Sequence, residues 1–200
     1  MKKNWLVIIL VSLLSFNFYY AQEEEEQEVN NTVSDSEKKI LETRYYSTGY
    51  EYFKNKMYAE AIEPLRKVVE INPKKMAAWS KLATSYQQLS NKYSQEGNND
   101  LAAVYLDSTK IAYYQALSND EAYITFHYML GWIYISTGNI DSAKIEFTRV
   151  VELDEEKPMK SQGSRFQARK YLADIAFKEE EFEEALDWYN AASEIDPSNQ

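Results

Sequence analysis

Histidine-dependent chemistry in this chain would have to run through one residue. His127 is the sole histidine among 200 residues, and there is no cysteine. A hydrolytic triad needs a histidine base held against a nucleophile, and zinc needs several ligands converging on one point. A lone histidine within a helical apolar pattern therefore reads as a packed side chain. Carboxylates are plentiful, above all in the run Glu179-Glu180-Glu181-Phe182-Glu183-Glu184. That run falls at a turn and the start of the following helix, where acids are favoured by the helix dipole, so a structural role accounts for it. No glycine-rich phosphate loop occurs. The missing cysteines exclude disulfides and thiolate chemistry. No catalytic constellation emerges, so the chain is expected to be no enzyme and to need neither cofactor nor metal.

The residue type that stands out is tyrosine, with 17 copies against 5 glycines and 4 prolines. Few chain breakers favour helices over a turn-rich β fold. The formal net charge is -10, which opposes binding to nucleic acid or to anionic membrane surfaces.

The amino terminus has the pattern of a secretory signal peptide over residues 1–21. Lys2 and Lys3 precede an apolar run from Trp5 to Leu14, and Ala21 supplies a small residue at a cleavage point before Gln22. The run is short of the ~20 residues that a spanning helix needs, so cleavage is expected, with a retained anchor as the alternative. No cysteine follows it, so a bacterial lipid anchor is excluded. Export to the periplasm or beyond follows, without stable membrane insertion of the mature chain. Residues 22–36 are acidic and poor in large apolar groups, which predicts a flexible linker. The sequon Asn30-Asn31-Thr32 is expected to be silent in a bacterial chain.

From residue 37 to 200 the sequence repeats itself. Tyr58 to Pro73 aligns with Phe182 to Pro197 and with Ile140 to Glu155. Each segment opens on a bulky residue, places alanine three positions on (Ala61, Ala143, Ala185) and continues with apolar residues at helical spacing. The preceding stretches agree as well, with a small residue at a fixed place: Gly49, Ala83, Gly131 and Ala173. Small side chains at these two places let paired helices approach closely, and Leu65, Phe147 and Tyr189 fill the seam. Pro73 and Pro197 follow their helices, since proline cannot continue one.

These residues resemble the tetratricopeptide repeat, a unit of 34 residues folded as a helix–turn–helix. The resemblance implies an all-α fold, a right-handed superhelix of stacked antiparallel helix pairs, with four units at about 42–75, 76–123, 124–157 and 166–199. The second unit exceeds the family period by about two turns on each helix at ~3.6 residues per turn. It is expected to be an elongated hairpin turning near Gly97-Asn98-Asn99, with Ala102, Leu106, Thr109, Tyr113 and Ala116 on one face. A further surplus at residues 158–165 reads as a loop, marked by Pro158 and Gly163, with Ser164 as a helix cap. Thr48 and Arg169 depart from the family by occupying apolar positions.

In such arrays the first helices line a concave surface that often takes peptides. Carried over residue by residue, that groove would hold Tyr46, Tyr50 and Phe53 from the first unit, and Tyr128, Trp132 and Ile135 from the third. The fourth would add Lys170, Asp174 and Phe177, and the second Ser80, Thr84 and Gln87. Family members that clamp a chaperone's terminal carboxylate use lysine, asparagine and arginine there. The matching positions here hold Tyr46, Tyr50, Lys81, Thr125 and Met129, so that function is set aside. The expected function is a non-enzymatic scaffold of the bacterial cell envelope that holds a peptide or protein surface in an aromatic groove. The alternative is a small-ligand or glycan binder stacking on Tyr50, Tyr128 and Trp132. No polar capping helix follows the fourth unit, so the flank near Phe182, Trp188 and Tyr189 is expected to meet a partner or to self-associate.

Overall fold

A computed structural model describes residues 34–121, 123–156 and 162–195. The signal-peptide segment and residues 22–33 of the linker lie outside the described residues, as do Pro158 and Pro197. The chain divides into two units, residues 1–44 and 45–200.

In the first unit the described residues open helix α1, Asp35–Lys54. Ser34 and Glu37 form a reciprocal cap. The Glu37 backbone N–H donates to Ser34 Oγ at 3.3 Å, and the Ser34 N–H donates to Glu37 Oε2 at 2.9 Å. The Ser34 hydroxyl also donates to Glu37 Oε2 at 2.7 Å, and this bond, with the Ser34 N–H, holds the Glu37 carboxyl below its usual range. The helix therefore begins at Asp35, within the last residues assigned above to the linker.

The second unit is helical and turned in consecutive pairs. It holds the rest of α1, then α2 (Tyr58–Ile71), α3 (Met76–Gln95), α4 (Asn99–Leu117), α5 (Ile124–Ser136), α6 (Ile140–Glu156), α7 (Gln162–Lys178) and α8 (Phe182–Ile195). Helices α3 and α4, α5 and α6, and α7 and α8 pack as hairpins, and α2 and α6 each pack on the helix that follows. The predicted seams are present. Gly49 lies so close to Leu65 that a Cβ there would stand 2.8 Å from Leu65 Cγ, and at Gly131 a Cβ would stand 2.6 Å from Phe147 Cε1. Ala61, Ala83, Ala143 and Ala173 are fully buried.

Each hairpin turn contains one residue with left-handed backbone: Lys56 (φ 60), Gly97 (φ 76), Gly138 (φ 77) and Glu180 (φ 64). The surplus of the second repeat is helical, with 20 residues in α3 and 19 in α4. Its turn falls at Gly97, and Asn98 Oδ1 caps α4 by accepting the Leu101 N–H at 3.2 Å. The extended arms are joined by Ser90 Oγ donating to the Ala102 carbonyl at 2.7 Å, and by the stacked rings of Tyr93 and Tyr105, 5.4 Å apart. Ala102, Thr109, Tyr113 and Ala116 are buried and Leu106 is half-buried.

The loop expected over residues 158–165 ends sooner than its residue types suggest. Helix α7 begins at Gln162, so Gly163, Ser164 and Arg165 are helical and Ser164 is no cap. Gly163 keeps ordinary helical backbone, and a helix absorbs one such residue for about 1 kcal/mol.

Two cores fill the repeat. One joins Leu65, Val68, Trp79, Leu82, Tyr113, Ala116, Phe126 and Leu130 across α2 to α5. The other joins Ile124, Phe147, Val150, Ala168 and Leu172 across α5 to α7. No helix among the described residues is long and apolar enough to cross a membrane.

Candidate functional site

The first helices bring one set of predicted groove residues together. Tyr46 and Tyr50 stack on α1 at 6.3 Å with planes 15° apart, and Phe53 continues the face, edge-on to Tyr58 at 5.8 Å. The Lys81 ammonium of α3 lies over all three rings, 5.7 Å from Tyr46, 5.3 Å from Tyr50 and 5.9 Å from Phe53. Lys75 lies 5.0 Å over the Tyr46 ring. Attraction between a cation and a ring face is worth about 0.5–2 kcal/mol at such distances. Among the described residues no carboxylate lies within ion-pair distance of Lys81, so three aromatic faces hold its charge. The resemblance places Lys81 at a groove position together with Tyr46 and Tyr50; the structure adds that it lies over all three rings.

Tyr46 and Phe53 are half-buried against the core of α2 to α5 and Tyr50 is exposed, and the third-unit residues are placed alike. Tyr128 and Ile135 are half-buried against the core of α5 to α7, and Tyr128 tilts toward Phe147 at 6.1 Å. Burial raises the Tyr128 phenol pKa above its ordinary value. Trp132 stays exposed. In the fourth unit Lys170 pairs with Asp174 at 3.0 Å, and the other Asp174 oxygen accepts the Tyr189 hydroxyl at 2.6 Å. Phe177 is exposed and meets Phe182 edge-on at 5.5 Å. In the second unit Ser80, Thr84 and Gln87 are half-buried. Among the described residues no ring contact or ion pair links the Tyr46, Tyr50 and Phe53 set to Trp132 or to Phe177.

His127 is buried, and both its ring nitrogens are engaged. Nε2 lies 2.9 Å from the Glu121 carbonyl, which can only accept, so Nε2 carries hydrogen. Nδ1 lies 2.7 Å from Glu146 Oε2, and one proton is shared across that contact. Glu146 Oε1 accepts the Tyr114 hydroxyl at 3.0 Å, which in turn meets the Tyr134 hydroxyl at 2.8 Å. Burial is the main cause of the raised Tyr114 pKa, with Tyr134 and Glu146 adding to it. This chain of bonds ties α4, α5 and α6 together and leaves the imidazole no free nitrogen for a nucleophile or a metal. Arg169, read as a departure from the family, is buried and meets Asp154 Oδ2 at 3.1 Å, while Arg165 pairs with Asp154 Oδ1. That cluster pins α7 to α6. Among the described residues no group of three or more His, Asp or Glu could hold a metal ion.

A cleft of about 530 Å³ opens elsewhere, between α2 and α4 above α3, with Trp79, Leu82 and Tyr86 among its lining residues and Arg66, Glu70 and Ile111 at its walls. The Trp79 indole N–H is satisfied by the Pro73 carbonyl at 2.7 Å. No predicted groove residue lines this cleft.

The tetratricopeptide-repeat family models match residues 43–75 and 128–200, which together make up more than half of the chain. Residues 76–127, with the elongated hairpin, fall between the two matches. Comparison with curated protein sequences finds no match. Among solved structures, the crystal structure of MamA superposes with a TM-score of 0.57 at 18% identity, covering 79% of this chain and 80% of that one. TTC0263, a thermophilic tetratricopeptide protein of Thermus thermophilus, gives 0.55 at 18%, covering 96% and 89%. The MamA RS-1 ArsTM double mutant gives 0.56 at 12%, covering 90% and 94%. At these identities the likeness speaks for the fold alone. With the repeat seams, the paired helices and both family matches in agreement, the chain belongs to the tetratricopeptide-repeat family.

Proposed function

We propose that this chain is a non-enzymatic interaction scaffold of the bacterial cell envelope, exported to the periplasm or secreted, which holds a peptide or protein surface along its first helices. Tetratricopeptide proteins are generally protein-interaction scaffolds, and their fold is typically non-catalytic. The observation that carries the reading is the cluster of Tyr46, Tyr50 and Phe53 around Lys81. It offers an incoming chain the exposed ring of Tyr50, the half-buried rings of Tyr46 and Phe53 and a cation with no carboxylate partner among the described residues, and tyrosine is among the residue types enriched at the centres of interfaces. Exposed Trp132 and Phe177 extend the apolar surface that first helices present. Export is supported by Lys2, Lys3 and the apolar run of the first 21 residues. A glycan platform built on Tyr50, Tyr128 and Trp132 has less support, because Tyr128 is partly spent on packing against Phe147.

The test is capture of envelope proteins on the full chain, compared with the double variant Tyr50→Ala/Trp132→Ala. The variant should lose at least about tenfold in affinity for the captured partner, the effect of truncating one or two anchor residues, with its helical circular dichroism unchanged. Equal affinity would dismiss the groove. Cell fractionation that leaves the protein in the cytoplasm would dismiss export.

A further inference from the structure

The second helices of this array carry one face in common, and three of them have it covered. On α2 Leu65 is fully buried in the core that includes α3, and on α6 Phe147 is fully buried with its ring stacked on Tyr171 of α7 at 5.0 Å. On α4 Tyr113 is buried 5.0 Å from the ring of Phe126 of α5. The repeat aligns Tyr189 of α8 with Leu65 and Phe147, yet Tyr189 is 38% exposed. Leu186, aligned with half-buried Ile62, is 60% exposed, and Phe182 is exposed beside Phe177. At helical spacing Phe182, Leu186 and Tyr189 fall on one stripe of α8, and no described element covers it. Along the side of the stripe away from buried Ala185 and Ala192 run Glu183, Asp187 and Glu194, all exposed. Among the described residues none of these three acids has a basic partner. Trp188, expected above on this flank, instead packs against the core and donates its indole N–H to Glu184 at 3.0 Å.

We infer that the α8 face docks an amphipathic helix of a partner protein, with an apolar stripe edged by lysine or arginine. The occupant is a helix because the three equivalent faces each take a helix. Its edge is basic because the acidic row is unpaired and lies against the stripe, where opposite charge selects partners and opposes wrong ones. A second copy seated face to face would bring the same acidic row and no countercharge. The inference is independent of the groove on α1 and α3, and residues of that groove do not enter its test.

Two labelled synthetic helices of about five turns, sharing a leucine stripe but edged with arginine or with glutamate, would be titrated with the full chain by fluorescence anisotropy. The arginine-edged peptide should bind at least about tenfold more tightly, and the margin should shrink as salt screens the acidic row. Leu186→Asp should abolish binding. Glu183→Lys/Asp187→Lys should reverse the preference between the peptides. Should Leu186→Asp lose its helical spectrum, the charge-reversed chain decides alone, since both its changes lie on the exposed edge. Equal affinity for the two peptides, binding that survives the loss of Leu186, or sedimentation showing a dimer that Leu186→Asp splits into monomers would each overturn the inference.

Discussion

The junction between the second and third units differs in build from the junction between the third and fourth. At the latter, α6 and α7 approach closely, with Phe147 flat on Tyr171 at an interplanar angle of 10° and Asp154 gripping two arginines. At the former, the backbones of α4 and α5 stay further apart. Larger rings fill the gap, Tyr113 on Phe126 and Phe126 on Tyr123, and the bonds from Tyr114 through Glu146 to His127 cross it. The elongated hairpin borders this wide junction through α4, while its other helix, α3, packs closely on α2. At the α4–α5 junction aromatic bulk and buried polar bonds stand in for close helix contact.

The largest expected effect that sharpens this contrast is at the close junction. Phe147→Ala removes the ring that fills both the seam beside Gly131 and the contact with Tyr171, and should cost about 3–5 kcal/mol in denaturant unfolding. A cost below about 1 kcal/mol, the level of an ordinary surface substitution, would show that the junction does not depend on that ring.

The wide junction should betray itself at high pH. Burial pushes the Tyr113 phenol up to about 12, partly offset by a hydrogen bond with Thr84. A phenol whose pKa is raised on folding contributes stability that is complete below its unfolded value near ~10 and is lost as pH rises through its folded value. Stability attributable to Tyr113 should therefore fall by about 3 kcal/mol between roughly pH 10 and 12. Tyr113→Phe keeps the ring and removes the titration, so its urea midpoint should fall less over that range. Parallel curves for the two proteins would break the contrast. Tyr189, the exposed counterpart on α8, is raised mainly by its bond to Asp174 rather than by burial.

The smallest effect concerns the helix seams. Gly131→Ala gains helix propensity worth up to ~1 kcal/mol but drives a methyl into Phe147, whose ring is held on its other side by Tyr171. Overpacking costs about 1–3 kcal/mol, so net destabilisation is expected. Gly49→Ala would set its methyl 2.8 Å from Leu65 Cγ and 3.2 Å from the Leu65 backbone nitrogen, in a fully buried seam, so net destabilisation is expected there too. A thermal midpoint that rises with either substitution would contradict the seam geometry.

The seams were legible in the sequence because they rest on residue size at fixed spacing: Gly49, Ala61, Gly131 and Ala143 leave room that few other residues could leave. The elongated hairpin was legible for a similar reason, since helical spacing ran unbroken up to Gly97 and on from Asn99. The polar links were not. That His127 would meet Glu146, or Arg169 meet Asp154, depends on the axial offset between two helices, and the repeat pattern fixes that offset only to within a turn. The beginning of α7 was hidden by Gly163, read as a breaker though the helix tolerates it. The start of α1 had a signal that went unused, the spacing of Ser34 and Glu37 that forms the reciprocal cap. Of the groove, the adjacency of Tyr46, Tyr50 and Phe53 followed from helical spacing, whereas the partial loss of Tyr128 and Ile135 to packing depends on how the third unit meets the fourth.

The long arms of α3 and α4 have one more consequence. A solenoid of identical units would let an extended ligand settle in several equivalent positions, each shifted by one unit, and its occupancy would be shared among them. One hairpin longer than the rest, with 20- and 19-residue arms, makes every shift distinguishable from every other. The second unit thus removes the translational equivalence that a uniform array would have.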